Sequence, residues 1–347
     1  MFSSYASNAI LSKARAMYGK RLTPKNYSDL LGCNNVREVA IYLKNHTNYS
    51  NVLGDLNEND VHRGQLEVLL KKKLFNDFAA LGRYEVSIRE GLSTYIISRM
   101  EIEQIMHCLM LYCAHKTDEY IYTVPMFFNQ HTHMDLPALT KIKNFDDFLQ
   151  AIKLTPYYKL LKSFKPKSDE LINLTTIETV LYSYLFENTF RIIEQYKNKK
   201  TRRDLANIFN TYIDFNNIVR IIRLKKYYKL GEDYIRNSLF PFGTINSKQL
   251  DSMIKADSVD TVFSIIQKTT FGKIINGIDY DYIDNLITKV KFSKCKHFIR
   301  YSIQPPVVMF SYILLTEIEL SNIINIIEGI RYKLPSNEIK KMLTYEK

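Results

Sequence analysis

The sequence contains no tryptophan and has few of the residues that form tight turns. Among 347 residues, 11 are glycine and 9 are proline. These numbers are too small for a sandwich rich in tight turns or for a disordered chain. Hydrophobic residues make up 46 % of the chain. The composition predicts a folded chain with a sizeable core, and the length allows two or three domains.

Metal-binding and disulfide patterns are also lacking. The four cysteines form no CxxC pair and no regular framework, which is typical of reduced thiols in a cytoplasmic protein. His131-Thr-His133 resembles two ligands of a metal site, but no third ligand is recognisable. An exposed loop pair is therefore the preferred interpretation. We expect no metal and no cofactor.

The common catalytic motifs do not occur. The chain has no GxxxxGK[ST] phosphate loop, no GxGxxG after a strand and no GxSxG elbow. A non-catalytic protein is the preferred hypothesis. An enzyme whose site is assembled from scattered residues remains an alternative, which a deep polar pocket would support.

Long hydrophobic runs are missing as well. The longest, Val307–Leu315, is interrupted by Ser311 and falls well short of the roughly 20 residues that span a bilayer. Lys13 and Arg15 come early, with no long apolar core after them, so no signal peptide is predicted. Any contact with a membrane is expected to be peripheral.

What the chain has in abundance is helical periodicity. Apolar residues recur three and four positions apart along several segments, whereas period-two alternation is never sustained. This pattern predicts an all-α protein. The clearest stripes are Ile102, Ile105, Met106, Leu109 and Cys113; Leu181, Tyr184, Leu185, Ile192 and Ile193; and Ile323, Ile326, Ile327, Ile330 and Leu334.

Helix boundaries are marked by threonine and proline. Thr23-Pro24 and Thr155-Pro156 each place a capping hydroxyl before a proline at the first helical position, where a missing N–H costs nothing. Further breaks between helices are predicted at Pro241-Phe242-Gly243, Pro305-Pro306 and Leu334-Pro335-Ser336, with a last short helix over 337–343.

The formal net charge of +12 suggests an acidic partner: nucleic acid, anionic lipid headgroups or an acidic protein surface. No zinc-finger spacing, aromatic RNA-binding signature or glycine-rich basic tail favours nucleic acid. We therefore expect no nucleic-acid partner, although a basic helical scaffold or nucleic-acid-binding protein remains the alternative function.

Four basic residues are candidates for binding a partner. A basic segment runs from Arg220 to Lys229, and a docking face for an acidic protein is a second interpretation beside a solvated helix face. Arg63 opens an apolar run and lies four residues before Glu67, with which it can pair. The candidates are Arg63, Arg220, Arg223 and Lys226.

A faint internal repeat is the most informative feature. Thr47-Asn-Tyr49, Thr155-Pro-Tyr157 and Thr269-Thr-Phe271 follow short apolar helices at intervals of 108 and 114 residues. Downstream of each lies an acid, then an amide followed by isoleucine, and these amides are 113 and 105 residues apart. Solenoid units are usually about 20–50 residues long, so this period predicts three tandem domains instead: 1–125, 126–240 and 241–347. Three similar domains around one axis would form a pseudo-symmetric funnel or collar.

The acid and amide of each repeat lie three residues apart on a predicted helix. A structural role is preferred, because a contact to one partner need not recur in every repeat, whereas carboxylates and amides satisfy backbone groups in any domain. The residues of this signature are Glu101, Gln104, Asp214, Asn217, Glu319 and Asn322, and Arg331 is assigned a structural role with them.

Several segments resemble the C subunit of bacterial and archaeal V/A-type ATPases, the counterpart of the d subunit in eukaryotic vacuolar ATPases. The resemblance extends from about residue 8 to the end of the sequence, and the segment 319–335, ELSNIINIIEGIRYKLP, is its most specific part. The other segments are 14–23 (ARAMYGKRLT), 27–31 (YSDLL), 36–40 (VREVA), 62–67 (HRGQLE), 217–223 (NIVRIIR) and 241–243 (PFG).

This resemblance implies a funnel of three pseudo-symmetric helical domains without an active site or cofactor. It implies that the protein seats the central stalk, made of the D and F subunits, on the proteolipid rotor ring and passes torque to it. The driven ion is a proton or sodium. The implied location is the cytoplasmic face of the membrane, within the ATPase complex, where the stator membrane subunit is a further, transient partner.

Overall fold

The computed structural model describes residues 2–57, 61–83, 91, 93–167, 171–269, 272 and 284–346. Throughout these ranges the regular secondary structure is helical, which confirms the predicted all-α class. The α-helices are α1 (Phe2–Gly19), α2 (Pro24–Leu31), α3 (Val36–His46), α4 (Ser50–Leu53), α5 (Arg63–Gly82), α6 (Ser93–Cys113), α7 (Leu136–Leu139), α8 (Phe145–Ala151), α9 (Tyr157–Leu161), α10 (Leu174–Glu194), α11 (Lys199–Arg223), α12 (Glu232–Asn237), α13 (Ser247–Lys255), α14 (Val259–Gln267), α15 (Asp284–Tyr301), α16 (Pro305–Arg331) and α17 (Ser336–Met342). Short 3₁₀ helices span Thr117–Tyr122, Met126–His131 and Lys162–Phe164, and a π-helical turn, Leu224–Tyr228, continues α11.

The chain divides into two compact units. The terminal unit comprises residues 1–32 together with 196–347, and the central unit comprises residues 33–195. Of the helices that the structure describes, the terminal unit therefore combines the first two with the last seven α-helices. These units are defined by compactness and the predicted domains by a repeat period, so the three-domain organisation stays a prediction.

Helix α16 forms the centre of the terminal unit. It packs against α1, α11, α15 and α17. Consecutive residues from Val307 to Thr316 are buried, so this helix is covered on all sides rather than along one stripe. Pro305 and Pro306 occupy its first turn, where the missing N–H groups leave no hydrogen bond unmade.

A second core of the terminal unit lies at the C-terminal half of α11. Phe215, Ile218 and Ile222 pack there among buried residues of α12 to α15. This half of α11 is therefore enclosed by elements that follow it in sequence.

The central unit is built around α5, α6 and α10. Helix α6 packs against α10 and against the 3₁₀ helix Thr117–Tyr122. Phe75 of α5 contacts Phe128 edge-on at 5.9 Å between ring centroids. Buried aromatic side chains thus join the 3₁₀ segments to the long helices.

The predicted apolar stripes are confirmed along the helices and end where the helices end. Ile102, Ile105 and Leu109 are buried, as are Ile323 and Ile327. Cys113 and Leu334 were predicted to continue two of these stripes, and both are exposed. Cys113 is the last residue of α6 and Leu334 lies beyond α16, so neither position faces the core.

The two Thr-Pro caps have different outcomes. Thr23 caps α2 as predicted, and its hydroxyl accepts the N–H of Asn26 at 3.2 Å. The prediction for Thr155 is wrong: its hydroxyl donates to the carbonyl of Ile152 at 2.7 Å, and α9 begins after Pro156 without a side-chain cap. The Thr155 hydroxyl therefore closes the turn before it instead of opening the helix after it.

The other predicted breaks are confirmed, since residues 241–243 lie in a loop, residues 305–306 open α16, and α17 begins at Ser336. Of the repeat markers, Thr270 and Phe271 lie outside the described residues.

One described helix, α16, is long and apolar enough to cross a membrane by length and composition. No such segment was predicted from the sequence, because the uninterrupted apolar run within this helix is much shorter than the helix itself. In the structure, 83 % of the apolar window of α16 is buried inside the protein. Its hydropathy is that of a core helix.

The repeated acid–amide signature and candidate docking surfaces

The acids of the repeat signature accept hydrogen bonds from loop backbone, and Asp214 shows this most fully. Its carboxylate accepts the N–H of Thr244 at 2.9 Å, the N–H of Ile245 at 3.1 Å and the hydroxyl of Thr244 at 2.6 Å. Gly243 has φ +118°, and a Cβ atom there would overlap the Asp214 carboxylate. Burial raises the pKa of Asp214, although the hydrogen bonds from Thr244 and Ile245 oppose that rise.

Glu319 of α16 makes the corresponding contact at the start of the chain. Its carboxylate accepts the N–H of Leu22 at 2.7 Å, and the contact is buried. Leu22 immediately precedes Thr23, the residue that caps α2. A side chain of the central helix thus fixes the loop between α1 and α2.

Glu101 of α6 accepts the hydroxyl of Thr132 at 2.7 Å and the hydroxyl of Tyr157 at 2.9 Å. The backbone of His133 also donates to it. Burial raises the pKa of Glu101 above its usual range. These contacts lie within the central unit.

The three loops held by these acids have one feature in common. Each leads directly into a helix with a capping side chain, provided by Thr23 for α2, by Asp135 for α7 and by Asn246 for α13. The backbone that each acid binds lies one or two residues before that cap. Each signature acid therefore binds the backbone directly before the cap of the next helix.

The signature amides hold backbone or buried hydroxyl groups. Asn217 accepts the N–H of Phe240 at 2.9 Å and donates to its carbonyl at 3.0 Å. Asn322 makes the same pair of bonds with Thr344, at 2.9 and 2.7 Å, and donates to the hydroxyl of Tyr27 at 3.1 Å.

In the central unit, Gln104 accepts the hydroxyl of Tyr120 at 2.9 Å. The side chains of all six signature residues are buried, and these bonds satisfy buried polar groups. The assignment of a structural role to these residues stays a prediction.

Arg331, which was assigned with the signature, lies at the end of α16 and is exposed. Its guanidinium is 3.5 Å from Glu328, donates to the hydroxyl of Tyr332 at 2.7 Å and lies over that ring at 4.7 Å. These contacts are local, in contrast to those of Glu319 and Asn322.

The basic candidates differ in their contacts and in their exposure. Arg220 donates to the carbonyl of Ser238 at 2.6 Å and lies over the ring of Phe240 at 4.3 Å, so it is part of the fold. Arg223, one turn later, is exposed. Lys226 lies in the π-helical turn, 5.2 Å from the ring of Tyr227.

Arg63 belongs to the central unit and pairs with Glu67 at 2.6 Å along α5, as its spacing predicted. The structure thus places the other three basic candidates in the terminal unit. Of these, Lys226 lies beside an exposed aromatic residue, Tyr227.

A further repeat, at the ends of the long helices, was missed from the sequence. The non-glycine residues with positive φ are His115, Lys229 and Lys333 among the described positions. Each lies one or two residues after the end of a helix: His115 follows α6, Lys229 follows the π-helical turn, and Lys333 follows α16. They lie 11, 12 and 11 residues after the signature amides Gln104, Asn217 and Asn322.

The caps at these helix ends explain why the second interval is 12 residues and the other two are 11. The N–H of Lys116 bonds to the carbonyl of Leu111, and the N–H of Leu334 bonds to that of Gly329, both at 2.8 Å and both spanning five residues. These are Schellman caps. After α11 the corresponding bond, Leu230 to Leu224, spans six residues, because the π-helical turn contains one more residue.

The sequence does contain a signal for this feature. Tyr228-Lys-Leu230 and Tyr332-Lys-Leu334 are identical tripeptides that follow the signature in the same order. Alignment of the two segments with one inserted residue would have found them.

His131 and His133 were considered as two ligands of a metal site. His131 packs on the ring of Phe75 at 4.7 Å between centroids. In the part of the chain that the structure describes, no group of three or more His, Cys, Asp or Glu side chains is close enough to hold a metal ion. A small crevice between α11 and α15 is lined mainly by apolar residues, together with Lys291 and Lys294.

These features define an all-α protein in which an acid–amide pair recurs on three long helices, α6, α11 and α16. The sequence model of the ATP synthase (C/AC39) subunit family matches residues 10–342. The chain belongs to this family, which confirms the resemblance read from its segments.

Three relatives are similar along most of their length, and each is named as the C subunit of an A-type ATP synthase. The protein of Methanosphaera stadtmanae is 23 % identical over 345 residues, covering 96 % of this chain and 86 % of the relative. That of Desulfurococcus sp. (strain SY) is 21 % identical, covering 95 % and 88 %. That of Pyrococcus abyssi is 20 % identical, covering 83 % and 75 %.

Proposed function

We propose that this chain is the non-catalytic central-rotor subunit of a V/A-type ATPase. It would seat the D–F central stalk on the proteolipid rotor ring at the cytoplasmic face of the membrane and transmit torque for proton or sodium transport. Contact with the stator membrane subunit would be transient. The observation that carries this proposal is the family match over residues 10–342, supported by the names of the relatives.

A part that transmits torque must resist bending, and the contacts of the signature residues suit that requirement. Asp214 and Glu319 each fix a loop to the middle of a long helix, and Asn217 and Asn322 each clamp a backbone segment by paired bonds. A buried pair of hydrogen bonds holds a segment in a single register. The long helices and their loops would therefore move together.

We infer from the same contacts that the chain consists of three related domains, 1–125, 126–240 and 241–347, arranged as a funnel. The recurring acid, amide and helix end support this inference, because each recurs in the same order in every segment. The funnel would offer one end to the stalk and the other to the ring.

The proposal is tested by pull-down of the purified chain with the D–F stalk and, separately, with the detergent-solubilised rotor ring at physiological salt. Binding to both is the expected result. A folded chain that binds neither would overturn the proposal, and a salt-sensitive gel shift with nucleic acid would then support the basic scaffold.

Arg223 can be tested in the same assay. Arg223→Glu should weaken binding to a partner with acidic residues, whereas Arg191→Glu is the matched control. Arg191 is an exposed arginine of α10 that pairs with Glu187 at 3.1 Å. Equal binding by both variants would remove Arg223 from the docking surface.

A further inference from the structure

The ends of α11 and α16 carry the same tripeptide in the same conformation. Lys229 and Lys333 both have positive φ, at 50° and 56°, and both are exposed. The tyrosines before them, Tyr228 and Tyr332, are 68 % and 64 % exposed. We call Tyr228-Lys229 and Tyr332-Lys333 the two helix tips.

Both tips lie at the same end of the terminal unit. The N-terminal parts of α11 and α16 are paired, since the hydroxyl of Thr201 donates to Gln304 at 2.8 Å and the rings of Phe209 and Phe310 are 4.6 Å apart. The ring contact lies C-terminal to the hydrogen bond in both helices. The helices therefore start side by side and run parallel. Each tip then lies about 28 residues further on, a helical rise of roughly 42 Å.

The identity of the residue at each tip is not explained by the cap. A helix that ends in the left-handed conformation prefers glycine there, because a Cβ atom crowds the neighbouring carbonyl oxygen. Lysine offsets this by placing its charge near the negative end of the helix dipole. That benefit is available from any nearby position, and Lys225, Lys226 and Arg331 already supply it. Strained residues that recur at equivalent positions point to a function.

The chemistry of the tips distinguishes among acidic partners. Lysine is depleted in protein–protein interfaces, whereas tyrosine is enriched. Tyrosine and lysine together characterise the membrane–water interface, where the ring lies at headgroup level and the ammonium contacts anionic headgroups. The π-helical turn that ends in Tyr228 also contains Tyr227, which is 58 % exposed, and the lysines Lys225 and Lys226.

We propose that the two helix tips contact anionic lipid headgroups and hold this end of the terminal unit against a membrane surface. The proposal goes beyond the rotor role, and its test uses no rotor component. The tyrosine rings would enter the headgroup layer and the lysines would pair with phosphate or carboxylate groups. No segment needs to cross the bilayer.

The test is co-sedimentation of the full chain with phosphatidylcholine vesicles, with and without phosphatidylserine, at physiological salt. We expect the wild-type chain to bind only the vesicles that contain phosphatidylserine. Lys229→Gly with Lys333→Gly removes two charges and retains the cap, so the double variant should fold. Loss of two interfacial lysines should weaken binding about 30-fold.

The matched control is Lys199→Ala with Lys200→Ala. These exposed lysines lie at the opposite end of α11, and their loss changes the net charge equally. Binding of the control should stay within about twofold of the wild type. Tyr228→Ser with Tyr332→Ser, which leaves the charge unchanged, should also weaken vesicle binding.

Three results would overturn the proposal. The first is equal weakening by the tip and control variants, which would reveal diffuse attraction by the basic chain. The second is a wild-type chain that binds neither kind of vesicle. The third is a tip variant that keeps vesicle binding but loses an acidic protein in the pull-down, which would make the tips a protein-docking surface.

Discussion

At the residue scale, the loop after Phe240 depends on a single glycine. Gly243 has φ +118°, and the space for a side chain there is filled by the Asp214 carboxylate. That carboxylate is itself fixed by the N–H groups of Thr244 and Ile245. The motif Pro241-Phe242-Gly243, noticed in the sequence as a break, thus has a steric function.

Gly243→Ala should lower the free energy of unfolding by about 3 kcal/mol, because it combines an unfavourable φ with displacement of a buried carboxylate. Urea denaturation of the full chain measures the change. Gly19→Ala is the control, since a Cβ atom there has no neighbour within 4 Å and Gly19 ends a helix. A cost below about 1 kcal/mol for Gly243→Ala would contradict the steric explanation.

A second residue-scale feature is the charge cluster around Glu346. Its carboxylate lies 2.8 Å from Lys296, 2.7 Å from Arg300 and 2.9 Å from Arg21. Hydrogen bonds from these cations lower the pKa of Glu346 to about 2, with Lys296 the largest cause. A lowered pKa stabilises the fold at pH values above the unfolded pKa near 4.5, and this contribution is lost as the pH falls towards 2.

Glu346→Gln should therefore destabilise the protein at neutral pH and make no difference near pH 2. We expect about 1 kcal/mol at neutral pH, because the carboxylate is partly exposed and water screens it. Urea denaturation of both proteins at a series of pH values measures this. A difference that stays constant through the acid range would show that the ion pairs contribute nothing.

At the scale of elements, α15 and α16 are joined by a part-buried ion pair. Lys291 and Glu317 are 3.3 Å apart, and their side chains are 13 % and 11 % exposed. The Lys291 ammonium also lies 5.1 Å from the ring of Tyr212 on α11. The side chain of Lys291 thus links its own helix, α15, to two others, α11 and α16.

Glu317→Ala should cost about 2 kcal/mol, because it leaves a part-buried ammonium without its carboxylate. The exposed pair of Arg191 and Glu187 is the control, and Glu187→Ala should cost at most about 0.5 kcal/mol. Thermal and urea unfolding measure both variants. Replacing the pair by Lys291→Met with Glu317→Leu should restore most of the loss, and failure to do so would point to damage of packing instead.

The elements also show how much of the candidate site was predictable. The spacing of Glu101 and Gln104, and of their counterparts, was readable because the acid and amide lie on one helix turn. Their partners were not, since Glu319 binds Leu22 and Asn322 binds Tyr27 from almost 300 residues away. No local pattern encodes a contact of that separation. The left-handed helix ends were also not predicted, because lysine, unlike glycine, is not a sequence signal for that conformation.

At the scale of the whole molecule, the first 32 residues belong with the last part of the chain. Ile10 and Ala14 of α1 are buried, and α1 packs against α16. Arg15 donates to the carbonyl groups of Ile299 and Ser302 at 2.9 and 2.7 Å. The terminal unit therefore requires both stretches of sequence.

Two fragments test this division. Residues 33–195 expressed alone should unfold cooperatively, since they contain the core of the central unit. Residues 196–347 alone should not, because α16 would expose the surface that α1 covers. Circular dichroism with urea titration measures both. Cooperative unfolding of the second fragment by itself would show that α1 is dispensable.

The sequence by itself determined the helical class, the main breaks between helices, the positions of the acid–amide signature and the family. These are properties of residue order within one helix or of similarity along the chain. Only the tertiary structure decided which backbone each signature residue binds, which arginine is built into the fold, and that the first helices pack with the last. The physical reason is that burial and hydrogen bonding between distant segments depend on where the whole chain places them, which no local spacing specifies.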